Sequence, residues 1–488
     1  MLSTPKTSAA QQQLDQLLHS HSNALFDCIV AIYKDAKALP EIPSFLKQFE
    51  PIYNDIARLR INKDDFEHIR PLARGQFAQV SIVRSRLDNQ IYAMKILNKR
   101  HMLAQRERAS FMEERTVLSQ ANTEWIPSLH AAFQDDDHLY LVMEYAGGGD
   151  LFSVLDRKET LCLSEKEARF YIAETILAVD SLHQLGYLHR DIKPQNILID
   201  STGHVKLADF GSCIAMKSVT SSSNNSNKDM LLPVGTCDYV SPEVLQCAST
   251  YGTEVDWWSV GIVLYEALQQ NPPFHSDKSE KDTYLNIMFH KSIEFPRPVS
   301  PACRDLILRL LSKRETRPKN VEEIKAHPFF NGIDWDHLRK STPPFRPTLA
   351  SPDDTSNFSV LDDDNNDHDD IIWKNATGID HINHLPFIGF SYQPNKQQST
   401  NKKSATLELE RAMEQMETRI KRLPLKQDDA HEFESVKVST GKCGYCQDKL
   451  WGPRALVCRA CRYQCHPSCQ QYITGKSCSS RRPKRFSS

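Results

Sequence analysis

Several features are scarce in this sequence, and each shortage excludes a class of protein. No run of about 20 apolar residues occurs, so no membrane-spanning helix is predicted. The opening segment MLSTPKTSAAQQQLDQLL lacks the basic-then-apolar layout of a secretory signal, so we expect a cytoplasmic protein. The formal net charge is only −2, which argues against a dedicated nucleic-acid binder.

Cysteine is sparse over most of the chain and concentrated towards its end. Of 13 cysteines, seven lie between Cys443 and Cys478. In a cytoplasmic protein such clustering indicates metal ligands rather than disulfides. At 488 residues the chain is also too long for a single core, so we expect several domains.

Glycine is missing where a phosphate-binding loop would need it. Residues 71–80 read PLARGQFAQV, and a kinase glycine loop follows G-x-G-x-x-G-x-V. On that pattern the chain has Ala73, Gly75, Ala78 and Val80, which is one glycine where three are expected. Alanine adds a single methyl, so we expect weaker nucleotide binding from Ala73 rather than a loss of the loop. Two interpretations remain open: an active phosphotransferase, or a pseudokinase scaffold.

The stretch HRDIKPQN at residues 189–196 carries the most information about chemistry. An aspartate, a lysine and an asparagine at this spacing suit a loop that meets a nucleotide phosphate. Asp191 would orient the attacking hydroxyl and accept its proton, and Lys193 would neutralise the γ-phosphate. Asn196 would hold a magnesium ion, and Asp209, in the DFG that follows, would bridge magnesium to the phosphates.

Two further charged residues complete this set. Lys95 lies in the strand-like YAMK, and Glu114 shares a helical face with Phe111 and Leu118. A carboxylate on an apolar face is costly unless it is paired, and Lys95 is the expected partner. Because the charged groups that phosphate transfer needs are all present, the sequence favours the active kinase over the scaffold.

Longer motifs then show a family resemblance. They are FEHIRPLARGQFAQV, WIPSLHAAFQDDDHLYLVMEYAGGGDL, GTCDYVSPEV, IDWDHLR, PPFRPTL, DDTSNF and LPFIGFSY. With them the chain resembles AGC-class serine/threonine kinases of the myotonic-dystrophy-kinase group, which includes Rho-associated and citron kinases. The resemblance implies an α+β bilobal fold with a small β-rich lobe and a large helical lobe. It also implies Mg-ATP as phosphate donor, protein Ser/Thr hydroxyls as acceptors, and a role in actomyosin control and cytokinesis.

The resemblance also assigns individual residues. It places the nucleotide against Leu72, Ala73, Arg74, Gly75, Gln76, Phe77, Ala78, Gln79, Val80, Ala93, Lys95, Met143, Glu144 and Ala146. Glu243 would pair with Arg317 in the large lobe. Asp150 and Glu266 match acidic positions that face substrate arginines, so we expect substrates with Ser/Thr near basic residues. Gln195 replaces a further acidic residue, which softens that preference.

Two segments bear on regulation. Many AGC kinases phosphorylate a threonine three residues before the glycine that is Gly235 here, and this chain has Leu232 instead. Arg190 then has no phosphate to bind, and we expect an activation loop that is ordered without that modification. Serines 221–223 are the alternative site of modification.

The motif FIGFSY is the second regulatory segment. Ser391 is a candidate phosphorylation site within it. Phe387 and Phe390 would dock on the small lobe and fix the helix that bears Glu114. The alternative is an isolated aromatic cluster in a linker.

The chain is expected to divide into six parts. These are a helical extension (1–60), a kinase domain (61–330), an AGC-type tail (331–395), a linker with a short amphipathic helix (396–430), a zinc domain (431–478) and a basic tail (479–488). By resemblance the extension pairs two kinase chains into a homodimer; the alternative is that it packs on its own small lobe.

Residues 431–478 carry the pattern H-x11-C-x2-C-x11-C-x2-C-x4-H-x2-C-x8-C, with enough ligands for two tetrahedral zinc sites. The pattern resembles the phorbol-ester-binding zinc domain of protein kinase C. In that fold the ligands interleave: His431, Cys458, Cys461 and Cys478 hold one ion, Cys443, Cys446, His466 and Cys469 hold the other, and Cys465 is spare.

The zinc domain looks atypical for lipid binding, because the glutamine and proline that usually frame the diacylglycerol groove are missing. Residues 431–488 contain 11 Lys+Arg against 3 Asp+Glu. That basic surface suits anionic lipid headgroups or an acidic cytoskeletal partner. The alternative is a solvated basic tail that adds only solubility.

Overall fold

The structure is a computed structural model. It describes residues 24, 26–34, 46–47, 50–51, 53–54, 60–75, 78–104, 110–217, 235–246, 248, 250–358, 384–393, 433–436, 442–443, 449, 455–459, 463–467 and 469. The chain divides into two compact units, Met1–Gln398 and Ser399–Ser488. The predictions for Gln76, Phe77, Ser221–Ser223, Leu232, the linker helix, His431, Cys446, Cys461 and Cys478 lie outside the described residues.

The small lobe of the first unit is a five-stranded antiparallel sheet. Its strands are β1 (Phe66–Arg74), β2 (Ala78–Ser85), β3 (Ile91–Asn98), β4 (Leu129–Gln134) and β5 (His138–Glu144), in the order β1-β2-β3-β5-β4. The β-branched and aromatic residues of β2 and β3 suit a pleated surface. A tight turn joins these two strands, and Asn89 there adopts a positive φ of 57°. Two helices, α1 (Lys99–Ala104) and α2 (Phe111–Gln120), complete the lobe.

The large lobe is helical. Its helices are α3 (Leu151–Asp156), α4 (Glu165–Gln184), α5 (Pro242–Leu245), α6 (Glu254–Gln269), α7 (Glu280–Met288), α8 (Pro301–Leu310) and α9 (Val321–Lys325). Helix α4 begins with a capping box, in which Ser164 and Glu167 satisfy each other's backbone N–H groups. Every residue of α6 is buried, and helices α4 and α8 pack against it.

Two small sheets in the large lobe carry the loops of the site. Strand β6 (Tyr187–Leu188) pairs with β9 (Ile214–Ala215), and β7 (Ile197–Ile199) pairs with β8 (Val205–Leu207). The HRD segment leaves β6 and enters β7, and the DFG segment leaves β8 and enters β9. This topology sets the two catalytic loops side by side.

A buried ion pair joins two distant parts of the large lobe. The side chain of Arg317 is fully buried and pairs with Glu243 of α5, as predicted. Its guanidinium also lies 4.8 Å from the centre of the Trp258 ring. Breaking such a pair leaves an unpaired buried charge, which costs about 3–5 kcal/mol. The pair therefore fixes the segment that follows the activation loop.

The tail packs closely against the glycine-rich segment that precedes α3. Gly149 has a φ of +86°, and a Cβ there would lie 2.1 Å from the Asn357 carbonyl oxygen. The Asn357 side chain donates to the Gly147 carbonyl oxygen over 3.0 Å. Farther along, Tyr392 forms an isolated antiparallel bridge with Ala132 of β4.

The second unit contains a three-stranded antiparallel sheet. Its strands are β10 (Phe433–Val436), β11 (Ala455–Cys458) and β12 (Gln464–Cys465), in the order β10-β11-β12. Across the described residues of both units, no helix has the length and apolar character needed to cross a membrane.

Candidate active site

Lys95 is the centre of the site. It sits in β3 opposite Val80 of β2 and Leu141 of β5, so its position is fixed by strand pairing on both sides. Its Nζ donates to Glu114 Oε1 over 2.6 Å and to Asp209 Oδ1 over 2.7 Å. Burial alone would lower the pKa of Lys95, but the two carboxylates outweigh it and raise the pKa, so the side chain stays charged.

Helix α2 presents Glu114 to that lysine. Glu114 is 2% exposed and lies on the buried face of α2 with Val117 and Leu118. Ser110, just before the helix, donates its backbone N–H to the Gly211 carbonyl oxygen over 3.4 Å. The helix is therefore joined to the DFG segment as well as to β3, and the predicted ion pair is formed.

Asp209 is held in an unusual backbone conformation. Its φ of 60° and ψ of 77° are left-handed, which non-glycine residues adopt rarely and often at functional sites. The Lys95 ammonium is the main cause that lowers the pKa of Asp209 to about 2. The next residue, Phe210, is fully buried against the His189 ring, with the ring centres 5.3 Å apart. The carboxylate is therefore anionic and fixed in direction, as a magnesium ligand must be.

The catalytic loop brings Asp191, Lys193 and Asn196 together. Lys193 Nζ lies 2.9 Å from Asp191 Oδ2. The Asn196 amide donates to the Asp191 carbonyl oxygen over 2.7 Å and to Oδ2 over 3.1 Å. The Asn196 carbonyl oxygen accepts from the Ala208 N–H, so Asn196 stands beside the residue before Asp209. The two predicted magnesium ligands thus come from adjacent loops.

Sequence reasoning missed Thr236. Its backbone N–H donates to Asp191 Oδ1 over 2.9 Å, and its hydroxyl accepts from Lys193 Nζ over 2.8 Å. The preceding residue, Gly235, has a φ of +97°, and a Cβ there would lie 2.6 Å from the Arg190 carbonyl oxygen. The GT pair within GTCDYVSPEV was the available signal: glycine permits the close approach and threonine supplies the contacts.

A buried carboxylate of the large lobe accepts hydrogen bonds from the backbone of the HRD segment. Asp256 of α6 is fully buried and accepts from the backbone N–H groups of His189 and Arg190, each over 2.9 Å. It also pairs with His183 over 2.7 Å. Burial would raise the pKa of Asp256, but these hydrogen bonds lower it, so it stays an acceptor. The backbone of the catalytic loop is therefore held to the most deeply buried helix.

Arg190 was expected to have no phosphate partner, and the structure shows which protein groups it contacts. Its Nε donates to the Ser212 carbonyl oxygen over 2.7 Å, and one Nη donates to the Tyr251 hydroxyl over 3.1 Å. Arg190 thus joins the catalytic loop to the DFG segment without a phosphorylated residue. The predicted order of the activation loop itself falls on residues 218–234, outside those described.

The glycine-poor loop joins β1 to β2 above this cluster. Gly75 donates its backbone N–H to the Ala78 carbonyl oxygen over 2.8 Å. Among the described residues, a Cβ on Gly75 would meet that oxygen at 3.5 Å, which is ordinary van der Waals contact, so packing against them does not demand glycine here. Ala73 lies on the exposed edge of β1, paired with Val80.

The other predicted nucleotide contacts lie around this loop and where the chain passes from the small lobe to the large one. We call the segment between the end of β5 and the start of α3 the crossing segment. Ala93 is buried on β3, Met143 and Glu144 end β5, and Ala146 lies in the crossing segment. Leu72 and Arg74 lie on β1, and Ala78, Gln79 and Val80 lie on β2. Glu144 is also structural, because its Oε2 accepts from Lys206 Nζ over 2.8 Å.

The tail adds a residue that sequence reasoning did not assign to the nucleotide site. Phe358 stacks on Tyr145 of the crossing segment, with ring centres 6.0 Å apart. The Tyr145 hydroxyl donates to the Asp354 carbonyl oxygen over 2.6 Å. The motif DDTSNF was the signal, since its only aromatic residue lies on the rim of the site.

Comparison with known proteins identifies the family. The family profile described as "Protein kinase domain" matches residues 66–330. The chain belongs to the protein kinase family. The bilobal α+β prediction and the prediction of an enzyme are confirmed at that level.

The relatives of this kinase include serine/threonine-protein kinases named MRCK. Mouse MRCK gamma is 42% identical over 385 residues, which is 76% of this chain and 24% of the relative. Human MRCK beta is 43% identical over 383 residues, 75% of this chain and 22% of the relative. Human MRCK alpha is 42% identical over the same shares. The chain spans about a quarter of the length of these curated relatives.

Two acidic side chains of the kinase domain were predicted to face basic substrates. Asp150 caps helix α3 by accepting from the Ser153 N–H over 2.7 Å. Glu266 is 7% exposed and accepts from the Tyr239 hydroxyl over 2.7 Å. Burial raises the pKa of Glu266 to about 7. Both carboxylates thus have structural partners as well as their predicted role.

The kinase tail docks as the FIGFSY motif predicted. Phe387 and Phe390 are fully buried, and their ring centres lie 5.3 Å and 6.3 Å from that of Phe111 on α2. Arg115 of α2 donates to the carbonyl oxygens of Phe390 and Ser391, each over 3.2 Å. The tail therefore holds the helix that carries Glu114.

Ser391 is not accessible for phosphorylation in this arrangement. It is 3% exposed, and its hydroxyl donates to Asp27 Oδ1 over 2.7 Å. A phosphate there would be repelled by that buried carboxylate. Asp27 belongs to the helical residues 26–34, so at least this part of the extension packs on the chain's own tail. Whether the extension also pairs two chains stays a prediction.

In the second unit, three predicted zinc ligands converge. One ligand atom each from Cys443, His466 and Cys469 lies within 4.8 Å of the others. Two thiolates and an imidazole suit zinc, and the interleaved assignment places these three together. Cys458 and the spare Cys465 are both buried, on β11 and β12. The remaining ligands fall outside the described residues.

Proposed function

We propose that this protein transfers the γ-phosphate of ATP to serine and threonine hydroxyls of other proteins. The observation that carries the proposal is the convergence of Lys95, Glu114 and Asp209 within 2.7 Å contacts, beside an Asp191 held by Lys193 and Thr236. A pseudokinase has no need to keep all of these charged groups in mutual contact.

The roles follow from this geometry. Lys95, held by Glu114, positions the nucleotide phosphates beneath the loop between β1 and β2 that contains Gly75. Asp191 orients the acceptor hydroxyl and takes its proton, while Lys193 faces the transferred phosphate. Asn196 and Asp209 would hold magnesium, which supplies charge neutralisation at the phosphates when bound. The buried Phe210 ring and the hydrogen bonds from the catalytic loop to Asp256 hold these groups in position before the nucleotide binds.

Substrate preference rests on Asp150 and Glu266. We propose protein substrates with basic residues near the phosphorylated Ser or Thr, by the family resemblance. Both side chains are held by structural partners, so they would lose little side-chain freedom on binding, and Glu266 would present its charge as it ionises around pH 7. A role in actomyosin control and cytokinesis belongs to the same proposal and is supported by the resemblance alone.

The test is phosphorylation of a basic peptide array by the full chain, with Asp191→Ala and Asp334→Asn compared at equal concentration. Over the residues that the structure describes, Asp334 is an exposed carboxylate paired with His337, so its removal should leave activity unchanged. Asp191→Ala should reduce the rate by at least about 1,000-fold. Equal labelling by all three proteins would refute the catalytic assignment and leave the scaffold interpretation.

We also propose that the second unit binds two structural zinc ions and attaches the kinase to an anionic membrane or an acidic cytoskeletal surface. The convergence of Cys443, His466 and Cys469 supports the metal, and the basic composition of residues 431–488 supports the surface. Zinc content by mass spectrometry tests the first. Sedimentation with liposomes containing phosphatidylserine, with and without diacylglycerol, tests the second; equal binding in both supports the atypical form.

A further inference from the structure

The tail contains a serine–proline pair that is unusually open. Four Ser/Thr–Pro pairs lie within the described residues: Ser241–Pro242, Ser300–Pro301, Thr342–Pro343 and Ser351–Pro352. Ser241 is 2% exposed, Ser300 donates to Glu165, and Pro343 is buried. Only in the fourth of these pairs are both residues exposed.

Ser351 begins a turn that is tied to the small lobe. The Asp354 N–H donates to the Ser351 carbonyl oxygen over 3.1 Å, with Pro352 at the second turn position, where its fixed φ is favoured. The Ser351 hydroxyl donates to Asp353 Oδ1 over 2.6 Å. Asp353 Oδ2 in turn lies 3.5 Å from an Arg84 Nη of β2. We refer to residues 351–354 as the tail turn.

The tail turn leads directly to the nucleotide site. Its last residue, Asp354, accepts the Tyr145 hydroxyl, and four residues later Phe358 stacks on the same Tyr145 ring. Between them, Asn357 is held by Arg157 over 2.7 Å. Ser351 is therefore separated by only a short peptide segment from the rim of the proposed nucleotide site, and a change of charge at Ser351 can affect that rim.

We propose that Ser351 is a phosphorylation site for a proline-directed kinase, and that its phosphorylation opens the tail turn and weakens nucleotide binding. Proline marks the site because its fixed φ and missing N–H make it distinguishable by a kinase pocket. Phosphorylation of Ser351 by this kinase itself is disfavoured. A kinase that prefers basic substrates would require arginine three or two residues before the serine, and this chain has Thr348 and Leu349 there.

The reaction uses ATP held by the second kinase. A bond forms between Ser351 Oγ and the γ-phosphorus, and the bond from that phosphorus to the β–γ bridging oxygen breaks with its electron pair leaving on ADP. The hydroxyl proton passes to the second kinase's catalytic carboxylate. The exposed turn needs to open only locally to reach that site, which exposed turns do at low free-energy cost.

The direction of the effect follows from the charges. The phosphate replaces a hydroxyl donor with about −1.5 to −2 units of charge beside the carboxylates of Asp353 and Asp354. Within the part of the chain that the structure describes, the cations that act on this turn are Arg84, which pairs with Asp353, and Arg70, whose positive charge acts on both carboxylates. Repulsion therefore exceeds the new attraction, the turn opens, and Phe358 loses its hold on Tyr145.

The experiment uses the full chain carrying Asp191→Ala, which silences self-labelling, treated with a proline-directed kinase and Mg-ATP. Mass spectrometry should find phosphate on Ser351, and Pro352→Ala should reduce that labelling strongly. Binding of a fluorescent ATP analogue should then weaken about five-fold, at the low end of typical coupling between linked sites. Asp353→Asn should lessen the weakening, because it removes one repelled carboxylate.

The matched control is Ser351→Ala, which removes the hydroxyl without adding charge and should change the analogue's affinity less than about two-fold. The inference rests on the proposed nucleotide site, and the readouts separate the two. If the untreated protein binds no analogue, the nucleotide site is refuted while the labelling result still stands. No phosphate on Ser351, or phosphorylated protein with equal or tighter binding, overturns the inference.

Discussion

Asp27 offers the sharpest test of how the chain holds its catalytic helix. Its carboxylate is 1% exposed and joins three parts of the first unit. Oδ2 accepts from the backbone N–H groups of Gly389 and Ser391, each over 3.0 Å, and Oδ1 accepts from the Ser391 hydroxyl over 2.7 Å and from Arg60. We expect Asp27→Asn to release the tail motif.

The size of the effect can be worked from these contacts. Asparagine has almost the same volume, but its NH₂ group faces donors where an oxygen accepted. Two charge-assisted hydrogen bonds at about 1.5–3 kcal/mol each are lost or weakened. The substitution also leaves the largely buried Arg60 without its charged partner. Breaking a buried ion pair in this way costs about 3–5 kcal/mol. These contributions overlap, because one carboxylate makes all the contacts and asparagine keeps one acceptor oxygen, so we take the lower end of the ranges and expect a loss of at least about 3 kcal/mol in the free energy of unfolding.

Activity should fall with stability for a structural reason. Without Asp27 the motif that carries Phe387 and Phe390 is held less firmly on α2, and Glu114 then meets Lys95 less often. We expect kcat for peptide phosphorylation to fall by about ten-fold, which corresponds to about 1.4 kcal/mol of positioning. Urea unfolding, peptide kinetics and hydrogen exchange over residues 384–392 measure the three consequences.

The control is Asp136→Asn. It removes the ion-pair partner of Lys34, and Lys34 lies on the same helical residues 26–34 as Asp27. Asp136 is 72% exposed, so this pair should contribute less than about 1 kcal/mol. If both variants lose the same amount of stability and the same fraction of kcat, the buried contacts of Asp27 have no special role. Ser391→Ala in the Asp27→Asn background should add little, because the two residues share one interaction.

Three other predictions concern the rest of the chain. Because burial raises the pKa of Glu266 to about 7, KM for arginine-containing peptides should fall as the carboxylate ionises between about pH 6 and about pH 8, and Glu266→Gln should flatten that profile. The same raised pKa means that the folded state holds the proton more tightly than the unfolded state, so this group's contribution to stability declines as pH rises from about 4.5 to about 7. Ala73→Gly should lower KM for ATP about two-fold to three-fold by removing a methyl from the loop backbone, and an unchanged or higher KM would contradict that explanation. A strong zinc chelator should abolish the strand signal of the second unit in circular dichroism, Cys469→Ser should reduce bound zinc, and retention of full structure without metal would argue against a zinc-dependent fold.

Much of the catalytic centre was predictable because its chemistry leaves short, contiguous marks. HRD, the lysine and asparagine after it, and DFG have fixed spacings, since each lies on one loop that must meet the same phosphates. The Lys95–Glu114 pair was predictable for a different reason: a carboxylate on the buried face of a helix requires a cation. In both cases the physical constraint acts within a few residues of the motif or on a single strongly charged group.

The contacts that could not be predicted are those made between distant segments by ordinary polar groups. Asp27 and Ser391 are 364 residues apart, and nothing in either local pattern specifies the other. The sequence could show only that Asp27 stands among apolar residues in LFDCIVAIY, which signals a buried partner without naming it. Ser391 was therefore predicted from its motif to be a phosphorylation site, whereas its surroundings show a buried hydrogen-bond donor.

The glycine shortage at residues 71–80 can now be weighed against the charges. A glycine matters only where a Cβ would block the backbone or a ligand, and the described residues leave room for a Cβ on Gly75. Alanines beside it change how closely a nucleotide fits, which is a matter of affinity. The charges decide whether transfer can occur, because no other group can replace Lys95, Asp191 or Asp209 in a site of this geometry. A kinase that had lost its activity would be free to lose those contacts first, and here every one of them is made.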